Sequence, residues 1–166
     1  MRKLTVLAMS LFSFVATADP VNLYRAYSDK ASDHFYTTSM DEMFQAVNGI
    51  YNYEGVAGKC LSTQEAGAVP LYRLWGGGKL SDHFYTTSWQ ERDIAIARGT
   101  YTDEGVACYV YMQQQPGTCA FHRLWNGTDH FYTLSWQETL TAIGTYKYTY
   151  EGVAGYLFSS YGACPN

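Results

Sequence analysis

Asp82-His83-Phe84-Tyr85-Thr86-Thr87-Ser88 decides how this chain is read, because the same run stands at Asp33-His34-Phe35-Tyr36-Thr37-Thr38-Ser39 and, with one change, at Asp129-His130-Phe131-Tyr132-Thr133-Leu134-Ser135. Ahead of each copy lies a second block: Leu23-Tyr24-Arg25-Ala26-Tyr27, Leu71-Tyr72-Arg73-Leu74-Trp75 and Phe121-His122-Arg123-Leu124-Trp125. Behind each lies a third: Glu54-Gly55-Val56-Ala57, Glu104-Gly105-Val106-Ala107 and Glu151-Gly152-Val153-Ala154. Three blocks in one order, three times over, define an internal repeat of roughly 48 residues. The copies run over about residues 21–63, 69–112 and 119–160 of a single domain spanning 19–166.

The first two blocks are rich in aromatic and β-branched residues and bounded by turn formers, so each pair predicts two strands joined by a turn. Ser39, Ser88 and Ser135 each precede a glutamate by three residues, at Glu42, Glu91 and Glu138, the spacing of a capping box that opens a helix. Gly49, Gly99 and Gly144 are stop signals, so each helix is short. Met40, Met43, Phe44 and Val47, and later Trp136, Leu140 and Ile143, fall at helical spacing and are expected in the core. The Glu-Gly-Val-Ala blocks open a third strand. The expected fold is β-rich α+β: three strand, strand, short helix, strand repeats. Closure with pseudo-threefold symmetry is favoured over a linear stack, because closure protects sheet edges.

The N-terminus pairs Arg2 and Lys3 with an apolar run from Leu4 to Val15 and an Ala16-Thr17-Ala18 end, the pattern of a secretory signal peptide over residues 1–18. That run is too short to span a bilayer, so membrane insertion is not expected. Without those residues, nine basic side chains face fifteen acidic ones and the formal charge moves from −4 to −6. With no cluster of Lys and Arg, nucleic acid is a poor partner. Cys60, Cys108, Cys119 and Cys164 lie in the exported part, where two disulfides are expected. Pairing Cys108 with Cys119 and Cys60 with Cys164 is the suggested connectivity of the three that four cysteines allow. No cysteine pair has the close spacing of a zinc knuckle, and no cofactor is expected.

The three blocks together resemble a secreted repeat family of unknown function, found in bacteria and fungi, whose signature runs approximately VPLYRLY, DHFYTTS, EGVAGYVY. Val69-Pro70-Leu71-Tyr72-Arg73-Leu74-Trp75 and Glu151-Gly152-Val153-Ala154-Gly155-Tyr156-Leu157-Phe158 lie nearest to its two ends. The resemblance covers nearly the whole exported chain and implies no defined activity. Members sometimes sit beside extracellular hydrolase domains, an arrangement similar to that of carbohydrate- and cell-wall-binding modules. Here Asn22 stands for the usual proline, His122 for tyrosine and Cys108 for glycine, and the third repeat is the one whose site is expected to be altered.

Five polar or aromatic positions recur in every copy and form the candidate ligand-binding set: Arg25, Asp33, His34, Tyr36 and Glu54; Arg73, Asp82, His83, Tyr85 and Glu104; Arg123, Asp129, His130, Tyr132 and Glu151. One reading makes them structural, Arg pairing with carboxylates of its own or the next repeat and His donating to a backbone carbonyl. The other stacks aromatic faces on sugars and hydrogen-bonds hydroxyls. Catalysis is disfavoured. Asp33 and His34 are consecutive on a strand and point to opposite faces, and neither G-x-S-x-G nor H-E-x-x-H is present. The expected function is a secreted, noncatalytic, lectin-like module for a surface glycan or cell-wall polymer. An extracellular protein-binding module, an inhibitor or effector that contacts its partner through the turns 28–32 and 76–81, is the first alternative. A hydrolase built on carboxylates such as Asp82 and Glu104 is the second. Three histidines could hold zinc only by converging on the axis. Asn126-Gly127-Thr128 fits a glycosylation sequon.

Overall fold

The structure is a computed structural model that describes residues 19–78 and 80–165. The signal-peptide reading of residues 1–18 lies outside the described residues. The first repeat comprises β1 (Val21–Ser28), β2 (Asp33–Thr37), α1 (Met40–Gly49) and β3 (Asn52–Cys60). The second comprises β4 (Ala68–Gly76), β5 (Asp82–Thr86), α2 (Trp89–Ala97) and β6 (Thr102–Tyr111). The third comprises β7 (Thr118–Trp125), β8 (His130–Thr133), α3 (Trp136–Gly144) and β9 (Thr149–Phe158). The chain is thus a strand-rich α+β protein with nine antiparallel strands and three short helices among the described residues.

Within each set the first strand is central: β1 lies between β2 and β3, β4 between β5 and β6, β7 between β8 and β9. Single pairs, Lys59 with Phe158 and Tyr111 with Tyr156, join β9 to β3 and to β6. The Glu-Gly-Val-Ala blocks lie opposite a register shift in the central strand. Gly55, Gly105 and Gly152 have φ of +116°, +90° and +119° there, a backbone shape that disfavours any side chain and that explains why the block keeps glycine.

β2, β5 and β8 each hydrogen-bond to one neighbouring strand only, so their outer N–H and C=O groups would be bare edges. They are instead turned inward. Asp33, Phe35, Tyr36 and Thr37, all of β5 and all of β8 are buried, which is why so polar a run sits in the interior. The main core gathers Leu23, Tyr36, Leu71, Tyr85, Phe121, Tyr132 and Leu157 from all three repeats.

The helices contribute less than their spacing suggests. Only Met43 of α1 is buried, no residue of α2 is, and in α3 the buried positions are Thr139 and Ala142. Met40, Phe44, Val47, Trp136, Leu140 and Ile143 are exposed, which corrects the expectation that these stripes are core. The strands already fill the centre, leaving the helices on the rim. Ser39, Ser88 and Ser135 do cap them, each accepting the N–H of the glutamate three residues on. The reciprocal half of the capping box is missing. Thr37, Thr86 and Thr133 accept the serine N–H groups, at 3.0 Å, freeing the glutamates for another task.

The disulfides are Cys60–Cys108 and Cys119–Cys164, correcting the suggested pairing. The main-chain pairing of Leu61 with Tyr109 brings the end of β3 beside β6, so Cys60 meets Cys108. β7 runs with β9 and not with β6, which takes Cys119 away from Cys108 and toward the C-terminal tail. No helix among the described residues is long and apolar enough to cross a membrane.

Candidate functional site

The repeated residues meet where one repeat touches the next, in three layers from the centre outward. Innermost are the tyrosines. The Tyr36 hydroxyl donates to the carbonyl of Tyr132 at 2.7 Å and accepts the Tyr132 N–H at 2.8 Å. Tyr132 makes the same pair of bonds to Tyr85, and Tyr85 to Tyr36. The rings pack edge to face, 5.4–5.6 Å between centroids. Each hydroxyl therefore satisfies the outward peptide groups of a neighbouring edge strand.

Burial raises these three hydroxyls well above the ordinary tyrosine range, against an opposing arginine charge. Because the folded-state pKa is raised, the associated stability is complete below about pH 10, the unfolded value, and is lost as pH rises beyond it. We expect thermal unfolding temperature to hold steady to that point and then fall steeply. A profile flat to pH 12 would remove the tyrosines from the account.

The next layer is Asp-His-Tyr. Asp33 accepts the backbone N–H of His83 at 2.7 Å, contacts its Nδ1 at 2.7 Å and accepts the hydroxyl of Tyr51. Asp82 does the same for His130 and Tyr101, and Asp129 for His34 and Tyr148. All three carboxylates are buried, and oxygens from the three lie within 4.8 Å of one another. Three hydrogen bonds to each carboxyl group offset the cost of burying so polar a cluster. The histidine partner is a neighbouring aspartate, not the backbone carbonyl expected from sequence. Each histidine Nε2 points to the glutamate of its own repeat, Glu54, Glu104 or Glu151, at 3.7–3.9 Å.

The outer layer is Arg-Glu. Arg25 faces Glu54 of its own repeat at 2.9 Å and makes a two-pronged pair with Glu138 of the third repeat at 2.9 and 3.1 Å. Arg73 pairs likewise with Glu104 and Glu42, and Arg123 with Glu151 and Glu91. Each guanidinium lies over a phenylalanine of the neighbouring repeat, Phe131, Phe35 or Phe84, at 5.3–5.4 Å. Burial works to raise the carboxyls of Glu42, Glu91 and Glu138. Hydrogen bonds from arginine and threonine, with the arginine charge, outweigh it and hold them below the usual range.

Depressed folded-state values mean that this contribution is present above the ordinary carboxylate range, about pH 4.3, and is lost as pH falls through the lowered values. The glutamates are more than a third exposed, so solvent screens the pairs and the effect is modest. The urea midpoint should hold down to about pH 4.3 and drop below it, and a Glu42→Gln, Glu91→Gln, Glu138→Gln variant should lose part of that slope. An unchanged slope would place the acid sensitivity elsewhere.

Of the fifteen recurrent residues, the tyrosines and aspartates are therefore sealed in the joint, at 0–1 % exposure, where no ligand reaches them. Arginine and its own-repeat glutamate reach the surface, with His34 beside them in the first repeat, while His83 and His130 stay buried. Between repeats one and three these line a cleft of about 480 Å³ with Tyr27, Phe131, Glu138, Tyr146 and Tyr148. Tyr27 packs on His34, and Trp75 and Trp125 pack on His83 and His130 in the other repeats. Asp82 and Glu104, the pair considered for hydrolysis, are divided between the buried and outer layers. Sequence reasoning missed two sets. The glutamates at 42, 91 and 138 passed for helix caps, and Tyr51, Tyr101 and Tyr148 carried only the signal of recurring shortly after each helix-stop glycine.

The geometry defines a strand-rich protein whose repeated polar residues are shared across its repeat junctions. The family described as a domain of unknown function, DUF5648, matches residues 22–158, most of the chain, and the protein belongs to that family. Comparison with curated proteins and with solved structures returns no match.

Proposed function

We propose that the protein is a secreted, noncatalytic, lectin-like module that holds a surface glycan or cell-wall polymer in its repeat junctions. The observation that carries this is the cleft between repeats one and three. It combines the aromatic walls of Tyr27, Tyr146 and Tyr148 with the outward carboxylates of Glu54 and Glu138, which Arg25 holds in place. Aromatic faces suit the apolar face of a pyranose, and fixed carboxylates suit its hydroxyls. Corresponding Arg-Glu pairs at the other two junctions support up to three related sites and binding by avidity. Secretion is supported by the two disulfides and the basic-apolar start of the chain. The cyclic order of the junction bonds supports a closed, pseudo-threefold arrangement of the repeats.

The test is a glycan array and a cell-wall polysaccharide pull-down with disulfide-intact protein and a Tyr146→Ala variant, whose side chain is 66 % exposed and removable without harm to the fold. Capture by the wild type, weakened in the variant, supports the cleft. Absence of capture by either protein overturns the reading.

A further inference from the structure

Outside the junctions, three further positions correspond from repeat to repeat: the residue before the arginine, a residue of the third strand and the first residue of the helix. Tyr24, Tyr72 and His122 are equivalent, because each pairs with the threonine that ends its DHFYT run, Thr37, Thr86 and Thr133. Tyr53, Asp103 and Tyr150 are equivalent by their pairing with Ala26, Leu74 and Leu124. In the third repeat the three positions are all aromatic. His122, Trp136 and Tyr150 pack on one another at 5.2–5.9 Å, and the His122 ring contacts the Tyr150 hydroxyl at 3.0 Å. Trp136 remains 48 % exposed and Tyr150 37 %. Burial lowers the His122 pKa, so its ring is neutral at neutral pH and adds no positive charge to the platform.

The second repeat shows what such a surface receives. There the guanidinium of Arg92, from α2 and paired with Asp93 at 2.8 Å, lies 4.4 Å from the centre of the Tyr72 ring. The third repeat has Thr139 at the helical position of Arg92. It is buried and returns its hydroxyl to the carbonyl of Ser135, so it supplies no cation. The chain as a whole carries a net charge of −4 and does not repel one. We propose that the His122-Trp136-Tyr150 platform is a binding site for an external organic cation, a guanidinium or quaternary ammonium group, which takes the place that Arg92 holds over Tyr72. The attraction is between the cation and the negative faces of exposed rings, so the affinity is weak for a single group and gains from attachment to a larger ligand. This site is separate from the glycan cleft and stands or falls without it.

The test follows the Trp136 indole N–H and the Tyr150 ring signals by NMR while the full protein is titrated, at constant ionic strength, with choline chloride, N-acetyl-arginine amide, tert-butanol and a methyl glucoside. A saturable shift with a cation, absent with the neutral compounds, supports the proposal. Trp136→Ala should weaken the Tyr150 response by about fivefold or more, with Trp136→Phe intermediate. Response to choline identifies a small quaternary headgroup as the source, and response to the arginine amide alone a basic protein segment. In Arg92→Ala, the vacated Tyr72 ring should gain a cation response. Equal shifts with tert-butanol or glucoside, no shift with either cation, indifference to Trp136→Ala, or no gain in Arg92→Ala would each overturn it.

Discussion

Tyr85→Phe is expected to destabilise the protein by about 2–4 kcal/mol, although it removes one oxygen and leaves the ring in place. That oxygen serves two groups at once. The Tyr85 hydroxyl donates to the Tyr36 carbonyl and accepts the Tyr36 N–H, both on the buried outer edge of β2. Phenylalanine would leave both unpaired where no water reaches, and each stranded group costs about 1–3 kcal/mol. Tyr36→Phe and Tyr132→Phe should cost similar amounts, since each strands the same pair of groups on another repeat. Urea midpoints of the three variants check this. A loss under about 0.5 kcal/mol, the size of an ordinary surface change, would mean that the hydroxyls do not guard the edges.

Asp129→Ala should cost more, about 3–5 kcal/mol, since each buried donor left without its acceptor costs about 1–3 kcal/mol. Three donors lose their acceptor together: the His34 backbone N–H, the His34 ring and the Tyr148 hydroxyl. Asp129→Asn keeps one oxygen for the His34 N–H and should lie between the wild type and alanine. The damage should extend to the first repeat, because His34 belongs to it. Hydrogen exchange at β2 reports this directly. Protection of β2 equal to the wild type in Asp129→Ala would show that the aspartate supports only its own repeat.

Much of the fold is legible in the sequence because its signals are local. Aromatic and β-branched runs place the strands, and Ser39, Ser88 and Ser135 place the helix starts, since a cap depends on residues three apart. What is not legible depends on partners about a repeat or more away. Glu138 looks like half of a capping box until β1 is brought beside α3, when it becomes the clamp on Arg25. Phe44 and Trp136 sit at core spacing, yet spacing cannot say that the strands have already filled the centre. Cys108 stands opposite Leu71, where Gly58 and Gly155 stand opposite Leu23 and Phe121. At Gly155 a Cβ would come 2.7 Å from the Val110 side chain, so that position is crowded. In the second repeat the same position carries a disulfide to Cys60. The site was half visible: the recurring residues were identifiable, but which of them face solvent was decided by burial, which recurrence does not encode.

The tyrosine bonds run from Tyr36 to Tyr132, from Tyr132 to Tyr85, and from Tyr85 back to Tyr36. A row of stacked units can lengthen or shorten by one and still bury its interior, so repeat number drifts easily in such proteins. A circuit that returns to its start after three steps has no place for a fourth tyrosine and leaves two open ends when one is removed. Removing the strand that carries any one tyrosine would therefore leave a hydroxyl on one side and a pair of peptide groups on the other without partners, which makes the three copies depend on one another for folding.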